Sequence, residues 1–220
     1  MKSHNKEIIA NYLKVKDNIG KYHREITLVA VSKFQKIEKI MPLLAIGHRC
    51  FGESRVDEAY NKWGEIKSNY DDLELHFIGG IQSRKIKDIV AFFDVIQSVD
   101  RLLVAEKISV EAKKINKIQR ILIQINIGNE PQKRGVPFDQ FSDLYKHILN
   151  FKNIKVEGIM CIPPQKKDVK LFFEKMRKIA QGINIQHISM GMSNDYITAI
   201  DYNATIVRVG HLIFGERTVS

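Results

Sequence analysis

The sequence has few of the features that mark secreted, membrane-bound or metal-clustered proteins. Its 220 residues include two cysteines, Cys50 and Cys161, which lie far apart within apolar runs and show no metal-like spacing. No apolar run approaches the roughly 20 residues that cross a bilayer, and the first residues are charged and amphipathic, unlike a secretory signal. These absences predict a cytoplasmic protein with two buried free thiols, no membrane association and no metal site.

Linkers, internal repeats and low-complexity segments are also missing from the chain. Hydrophobic residues make up 44% of it and charged residues 27%, which is typical of a globular protein. We therefore expect a single domain over residues 1–220. The pattern GxGxxG does not follow the first strand, so a dinucleotide-binding fold lacks its usual signature.

The formal net charge of +10 raises the question of nucleic-acid binding. Lysines and arginines are scattered through almost every segment, rather than gathered in one arm or interleaved with aromatic residues. This distribution argues against a specific nucleic-acid partner. It is consistent with some attraction for phosphorylated small molecules.

Apolar strand-like segments alternate regularly with amphipathic helical segments. A leading helix places Ile8, Tyr12, Val15 and Ile19 on one face. The strand-like segments that follow are 28–33, 49–54, 75–79, 93–99, 120–127, 156–162, 186–190 and 205–209. Eight such units favour an α/β fold that closes into a (β/α)8 barrel of the TIM type, with an extra N-terminal helix. A doubly wound open sheet is the alternative.

The first strand-like segment, Leu28–Lys33, ends abruptly in a lysine. At the carboxyl end of a barrel strand, the side chain of Lys33 would face the active-site side of the barrel. Partial desolvation beside an apolar wall would lower its pKa and free the amine to attack an aldehyde. The alternative is a lysine whose charged end simply reaches solvent from a strand end.

A barrel would bring several other polar groups to the same mouth. The residues expected there are Lys33, Ser54, His76, Asn126, Met160, the Ser189–Ser193 turn and Arg208. Barrels often bind phosphate with the loops after strands seven and eight. Here those loops carry Met192 and Ser193 at the start of a helix, and Gly210 and His211 after the last strand. An ordinary capped turn remains the alternative for the first loop.

A reactive lysine opposite a phosphate-binding turn fits pyridoxal phosphate, whose aldehyde and phosphate lie at opposite edges of its ring. The informative residue is then Arg208. A permanently charged guanidinium beside the pyridine nitrogen would keep that nitrogen unprotonated and weaken the ring as an electron sink. The alternative is an arginine that pairs with phosphate or reaches the surface.

Eight short motifs that occur in order connect the chain with a known family. They are Val31–Lys33, Phe51–Arg55, His76–Gly79, Gln124–Asn126, Gly158–Met160, Ser189–Ser193, Val207–Gly210 and Phe214–Arg217. In this combination the sequence resembles the pyridoxal-phosphate homeostasis proteins (the YggS/PROSC family) over almost its whole length. The resemblance implies a single barrel like the amino-terminal domain of alanine racemase. It also implies a role in intracellular vitamin B6 and amino-acid homeostasis without established catalysis.

The resemblance also implies roles for individual residues. Lys33 would hold the cofactor as an aldimine, Arg208 would face the pyridine nitrogen, and Ser193, Gly210 and His211 would contact phosphate. Met192 and Ser54 complete the implied cofactor-binding set, which is Lys33, Ser54, Met192, Ser193, Arg208, Gly210 and His211. The family usually has asparagine at the position of Ser54 and threonine at the position of His211. His211 lacks the threonine hydroxyl, so its phosphate contact would come from its backbone amide or its ring. PLP-dependent apoenzymes are candidate partners, and a monomer is the expected state.

Two enzymatic functions are alternatives to the homeostasis role. An amino-acid racemase would use the same aldimine, but it needs acid–base groups on both faces of the substrate carbon, and the chain lacks the extra β-domain of that family. A barrel enzyme acting on a phosphorylated sugar would form its Schiff base with Lys33 and would need a rim acid–base pair, for which Glu53 is the candidate.

Overall fold

A computed structural model describes residues 2–164 and 168–216 of the chain. Its α-helices are α1 (Lys2–Gly20), α2 (Ile37–Ala45), α3 (Val56–Trp63), α4 (Ile86–Phe92), α5 (Leu102–Lys114), α6 (Phe141–Ile148), α7 (Val169–Gly182), α8 (Tyr196–Asp201) and α9 (His211–Phe214). Its strands are β1 (Thr27–Val31), β2 (Cys50–Glu53), β3 (Glu74–Phe77), β4 (Val95–Val99), β5 (Gln119–Asn126), β6 (Val136–Pro137), β7 (Ile154–Cys161), β8 (His187–Ser189) and β9 (Ile206–Val209). Within those residues, none of the helices has the length and apolarity that a membrane span requires.

The strands form one closed parallel sheet. Their order is β4-β3-β2-β1-β9-β8-β7-β5, and β4 also pairs with β5, which closes the ring of eight. The two-residue β6 pairs with β5 outside this ring. The predicted (β/α)8 barrel with an N-terminal helix is therefore confirmed, and the open sheet is excluded.

The strands bury both faces, as their apolar sequences predict. Leu28 and Ala30 of β1 pack outward into the large core between barrel and helices, whereas Val29 points inward. The apolar part of the barrel interior is small: Val29, Val95, Leu122, Met160 and Ile206 form its buried cluster. Much of the remaining interior is polar, and those polar side chains belong to the functional site described below.

Three local features differ from the sequence-based expectation. Helix α2 continues through Pro42, a residue that ordinarily kinks or ends a helix, and ends only at Ala45. The pairing of β6 was missed because a two-residue strand has no periodicity to detect. Cys161 is a buried free thiol as expected, but Cys50 is only half-buried because it is the first residue of β2, at the end of the strand. The last residue of the final motif, Arg217, lies outside the described residues.

Candidate functional site

A cavity of about 740 Å³ opens at the carboxyl ends of the barrel strands. It brings together six of the seven predicted site residues, namely Lys33, Met192, Ser193, Arg208, Gly210 and His211. Apolar side chains, including Val31 and Met160, form one wall. The seventh residue, Ser54, lines a neighbouring cavity of about 620 Å³. The barrel thus places a primary amine, a guanidinium and two turns around one space.

Lys33 is half-buried and follows the last residue of β1 by two positions. The residue before it, Ser32, is anchored to β2 and α3 by three hydrogen bonds. Its amide donates to the Gly52 carbonyl (3.0 Å) and its hydroxyl donates to Glu53 Oε1 (2.7 Å). Its carbonyl oxygen accepts from Lys62 Nζ at 2.7 Å. The backbone that presents Lys33 is therefore fixed to β2 and α3.

Glu53 organises this anchor from the outer side of the strands. Its side chain is fully buried, and Oε1 accepts hydrogen bonds from Lys62 Nζ (2.9 Å) and Trp63 Nε1 (3.0 Å) as well as from Ser32. Burial raises the pKa of the Glu53 carboxyl, against the opposing effect of the Lys62 ammonium and the other donors. Glu53 does not line the Lys33 cavity, so the geometry gives it a structural role and does not support a rim acid–base pair.

Arg208 extends from β9 into the cavity, and two hydrogen bonds to groups of the barrel fix its side chain. The residue is only 4% exposed, and its Nη1 and Nη2 donate to Ser189 Oγ (2.6 Å) and to the Cys161 carbonyl (2.9 Å). Burial lowers the pKa of the guanidinium. A guanidinium nevertheless remains charged in a protein, so Arg208 presents a fixed positive donor to the cavity.

The hydrogen bonds continue from Arg208 through the barrel interior. Ser189 Oγ donates to Gln97 Oε1 (2.6 Å), Gln97 Nε2 donates to His76 Nδ1 (2.6 Å), and His76 Nε2 donates to Glu74 Oε1 (2.5 Å). We call Arg208, Ser189, Gln97, His76 and Glu74 the polar column. It runs from the mouth towards the amino-terminal ends of the strands.

The polar column corrects one expectation and supplies residues that the sequence reasoning missed. His76 was expected at the mouth, but its imidazole lies inside the barrel, between Gln97 and Glu74. Neither Gln97 nor the hydroxyl of Ser189 was singled out as a partner of Arg208. The available signal was a polar side chain at an inward position of an otherwise apolar strand.

The two turns opposite Lys33 contact each other. The Leu212 amide donates to Ser193 Oγ at 3.3 Å, which joins the turn after β9 to the turn after β8. The Met192 amide donates to Asp195 Oδ1 at 2.6 Å. In this structure the acceptor of this amide of the predicted phosphate-binding turn is therefore a carboxylate of the same turn.

Gly210 lies where the chain leaves β9 and passes close to β1. A Cβ atom at this position would lie 3.0 Å from the Val31 carbonyl oxygen and 3.1 Å from Val31 Cβ. A larger residue would press against the strand that leads to Lys33. The glycine therefore lets the second turn approach the strand end that carries the amine.

Comparison with known proteins identifies related sequences. The family described as "Alanine racemase, N-terminal domain" matches residues 4–218. A pyridoxal phosphate homeostasis protein of Aquifex aeolicus is 36% identical over 219 residues, which cover 96% of this chain and 95% of the relative. The protein of the same description from Escherichia coli K12 is 32% identical over 230 residues, covering 97% and 98%.

Solved structures give a consistent result. PipY of Synechococcus elongatus, solved with PLP bound, superposes with a TM-score of 0.85 at 28% identity and covers 94% of this chain and 100% of its own. An alanine racemase from Clostridium difficile superposes with a TM-score of 0.76 at 16% identity, and this likeness shows the fold alone. The match covers 98% of this chain and 58% of the racemase.

Proposed function

The chain belongs to the pyridoxal phosphate homeostasis proteins, within the alanine racemase N-terminal domain family, and from this we propose that it holds pyridoxal phosphate through the amine of Lys33. We further propose that it does so in the cytoplasm, as a monomer with one domain over residues 1–220. Its role would be vitamin B6 and amino-acid homeostasis, with PLP-dependent apoenzymes as recipients of the cofactor and no reaction of its own.

The arrangement of Lys33 and the two turns carries this proposal. Both border the same cavity of about 740 Å³, so one small molecule can reach the amine and the turns together. When bound, pyridoxal phosphate supplies an aldehyde that forms an imine with a primary amine and a ring that withdraws electrons. The donor set fits this group, since the chain offers an amine for the aldehyde, a guanidinium for the ring nitrogen, and hydroxyl and amide groups for the phosphate.

Each residue then has a separate task. Ser193, with the Met192, Gly210 and His211 positions, would bind the phosphate. Arg208 would donate to the ring nitrogen, and because it cannot give up its proton readily, that nitrogen would stay unprotonated. A ring in that state is a weak electron sink, which favours retention of the cofactor over turnover of amino acids.

The lack of a tyrosine among the described residues that line the cavity supports a non-catalytic role. A two-base racemase needs an acid–base group on each face of the substrate carbon. Among the described residues that line the cavity there is no tyrosine, the residue that serves the opposite face in the racemase family. A racemase assay on the cofactor-loaded protein tests this part, and robust turnover would contradict it.

The experiment for cofactor binding is an absorbance spectrum before and after borohydride, followed by peptide mass spectrometry. We expect a long-wavelength band that bleaches and a reduced pyridoxyl group on Lys33. Lys33→Ala should lose both, whereas Lys36→Ala, a change of an exposed lysine in the same loop, should keep both. A colourless wild-type protein that takes up no added pyridoxal phosphate, or an adduct on another lysine, would refute the proposal.

A further inference from the structure

Three potential metal ligands converge at the end of the barrel opposite Lys33. Cys50 and Glu74 are the first residues of β2 and β3 and are direct partners in the parallel register. His76 lies two residues after Glu74, on the same inward face. Ligand atoms of these three side chains, a sulfur, a carboxylate oxygen and an imidazole nitrogen, all lie within 4.8 Å of one another.

Groups outside the cluster hold two of the three ligands in a binding orientation. Arg120 Nη2 donates to Glu74 Oε2 at 2.6 Å, so that Oε1 faces the cluster. Gln97 bonds His76 Nδ1 at 2.6 Å, so that Nε2 faces the cluster. Histidines and carboxylates that bind metals ordinarily have such outer partners, which fix the orientation of the ligand. Arg120 and Gln97 thus lie at the positions of outer partners, and metal binding requires the Gln97 amide to turn its oxygen towards Nδ1.

The chemistry and burial of the ligands indicate which ion would bind. A thiolate, an imidazole and a carboxylate suit Zn²⁺, which is borderline-soft and takes three protein ligands with water in an open fourth position. His76 is 2% exposed, whereas Cys50 and Glu74 are half-buried. The partial exposure of these two residues provides a path from solvent and room for the water.

We propose that Cys50, Glu74 and His76 bind one zinc ion. On binding, the Cys50 thiol releases its proton to solvent, and the two anionic ligands balance the charge of the ion. The imidazole binds through Nε2, so the proton on Nε2 is displaced and the bound, neutral ring carries its single proton on Nδ1. The Gln97 amide turns over so that Oε1 accepts from Nδ1–H, and the 2.5 Å hydrogen bond between Glu74 and His76 opens to admit the metal.

The test is a titration of the full chain with ZnCl₂ by calorimetry and with CoCl₂ by visible absorbance. We expect one equivalent of either metal and, with Co²⁺, a thiolate-to-metal charge-transfer band together with tetrahedral ligand-field bands. Cys50→Ala should abolish the charge-transfer band and weaken zinc binding by at least about tenfold. Cys161→Ala changes the other free thiol, which is outside the cluster, and should preserve both signals.

A second variant keeps the proposal decidable if Cys50→Ala folds poorly. Glu74→Gln keeps the shape of the side chain and removes its charge, and it should weaken zinc binding by a similar factor. No stoichiometric binding, unchanged affinity in the folded variants, or a cobalt spectrum without a thiolate band would each overturn the proposal. Because the metal signals do not require the cofactor, their outcome is separate from the outcome at Lys33.

Discussion

Ser189 provides the sharpest test of the polar column, because its hydroxyl is the only side-chain partner of the Arg208 guanidinium recorded in the described part of the chain. Ser189→Ala removes the acceptor of Arg208 Nη1 and also the donor to Gln97 Oε1. All three residues are nearly or fully buried, with exposures of 0% for Ser189 and Gln97 and 4% for Arg208. Water therefore cannot readily replace the lost partner.

The expected magnitude follows from the two bonds. A hydrogen bond to a charged group contributes about 1.5–3 kcal/mol, and a neutral one contributes about 1 kcal/mol. The loss leaves a buried cationic donor and a buried amide oxygen each short of a partner. We expect Ser189→Ala to lower the free energy of unfolding by about 3 kcal/mol.

Ser98, which follows Gln97 in β4, provides a matched control. Its residue is 2% exposed, and its hydroxyl has no hydrogen-bond partner among the described residues. Ser98→Ala therefore removes a buried polar atom without breaking a bond, and it should leave stability unchanged or raise it by up to about 1 kcal/mol. The two variants make the same chemical change in the same barrel.

Urea unfolding at neutral pH provides the measurement. The single tryptophan, Trp63, is fully buried and reports the transition by fluorescence. The reasoning predicts a clear loss for Ser189→Ala and none for Ser98→Ala. Equal losses for both serines, or a loss for Ser189→Ala below about 0.5 kcal/mol, would show that the column does not stabilise the barrel as described.

Two further predictions concern thiol reactivity and close packing. Burial raises the pKa of the Cys161 thiol to about 12, whereas Cys50 is half-buried. Iodoacetamide at pH 8 should therefore modify Cys50 in the metal-free protein and should reach Cys161 only after unfolding. Equal labelling of the two cysteines in peptide mass spectra would contradict this expectation. Gly79→Ala would place a Cβ 2.0 Å from the Ser54 carbonyl oxygen and should cost about 3 kcal/mol in urea unfolding. Gly182 lies at the end of α7, where an added Cβ would have no atom within 4 Å, so Gly182→Ala should leave the free energy of unfolding unchanged or raise it. A similar loss of stability in the Gly79→Ala and Gly182→Ala variants would refute the steric explanation.

Much of the barrel could be predicted from one sequence because its signals are local. The run before Lys33 is apolar and β-branched, and it forms β1 as expected. The helical spacing of Ile8, Tyr12, Val15 and Ile19 places all four buried on α1. The number of strands and their alternation with helices then favour closure of the sheet into a barrel. A closed barrel brings Lys33 and the turns after β8 and β9 to the same mouth.

The interior of the barrel could not be predicted in the same way. Gln97 and Ser189 are 92 positions apart, and no local pattern shows that their side chains meet. Periodicity states which face a residue occupies, but it does not give its depth along the strand. This is why His76 was expected at the mouth, and why Glu53, the candidate for a rim acid–base group, could not be recognised as the buried anchor of the Lys33 strand.

The origin of the polar column in both halves of the chain has a consequence for folding. Glu74, His76 and Gln97 come from β3 and β4, whereas Ser189 and Arg208 come from β8 and β9. The hydrogen bond from Ser189 Oγ to Gln97 Oε1 is the contact of the column that joins the two halves. A half-barrel made from either part would leave this amide oxygen or this hydroxyl without its partner, and a buried polar group is costly to leave unpaired. Ring closure therefore completes the column, because only then do Gln97 of β4 and Ser189 of β8 meet.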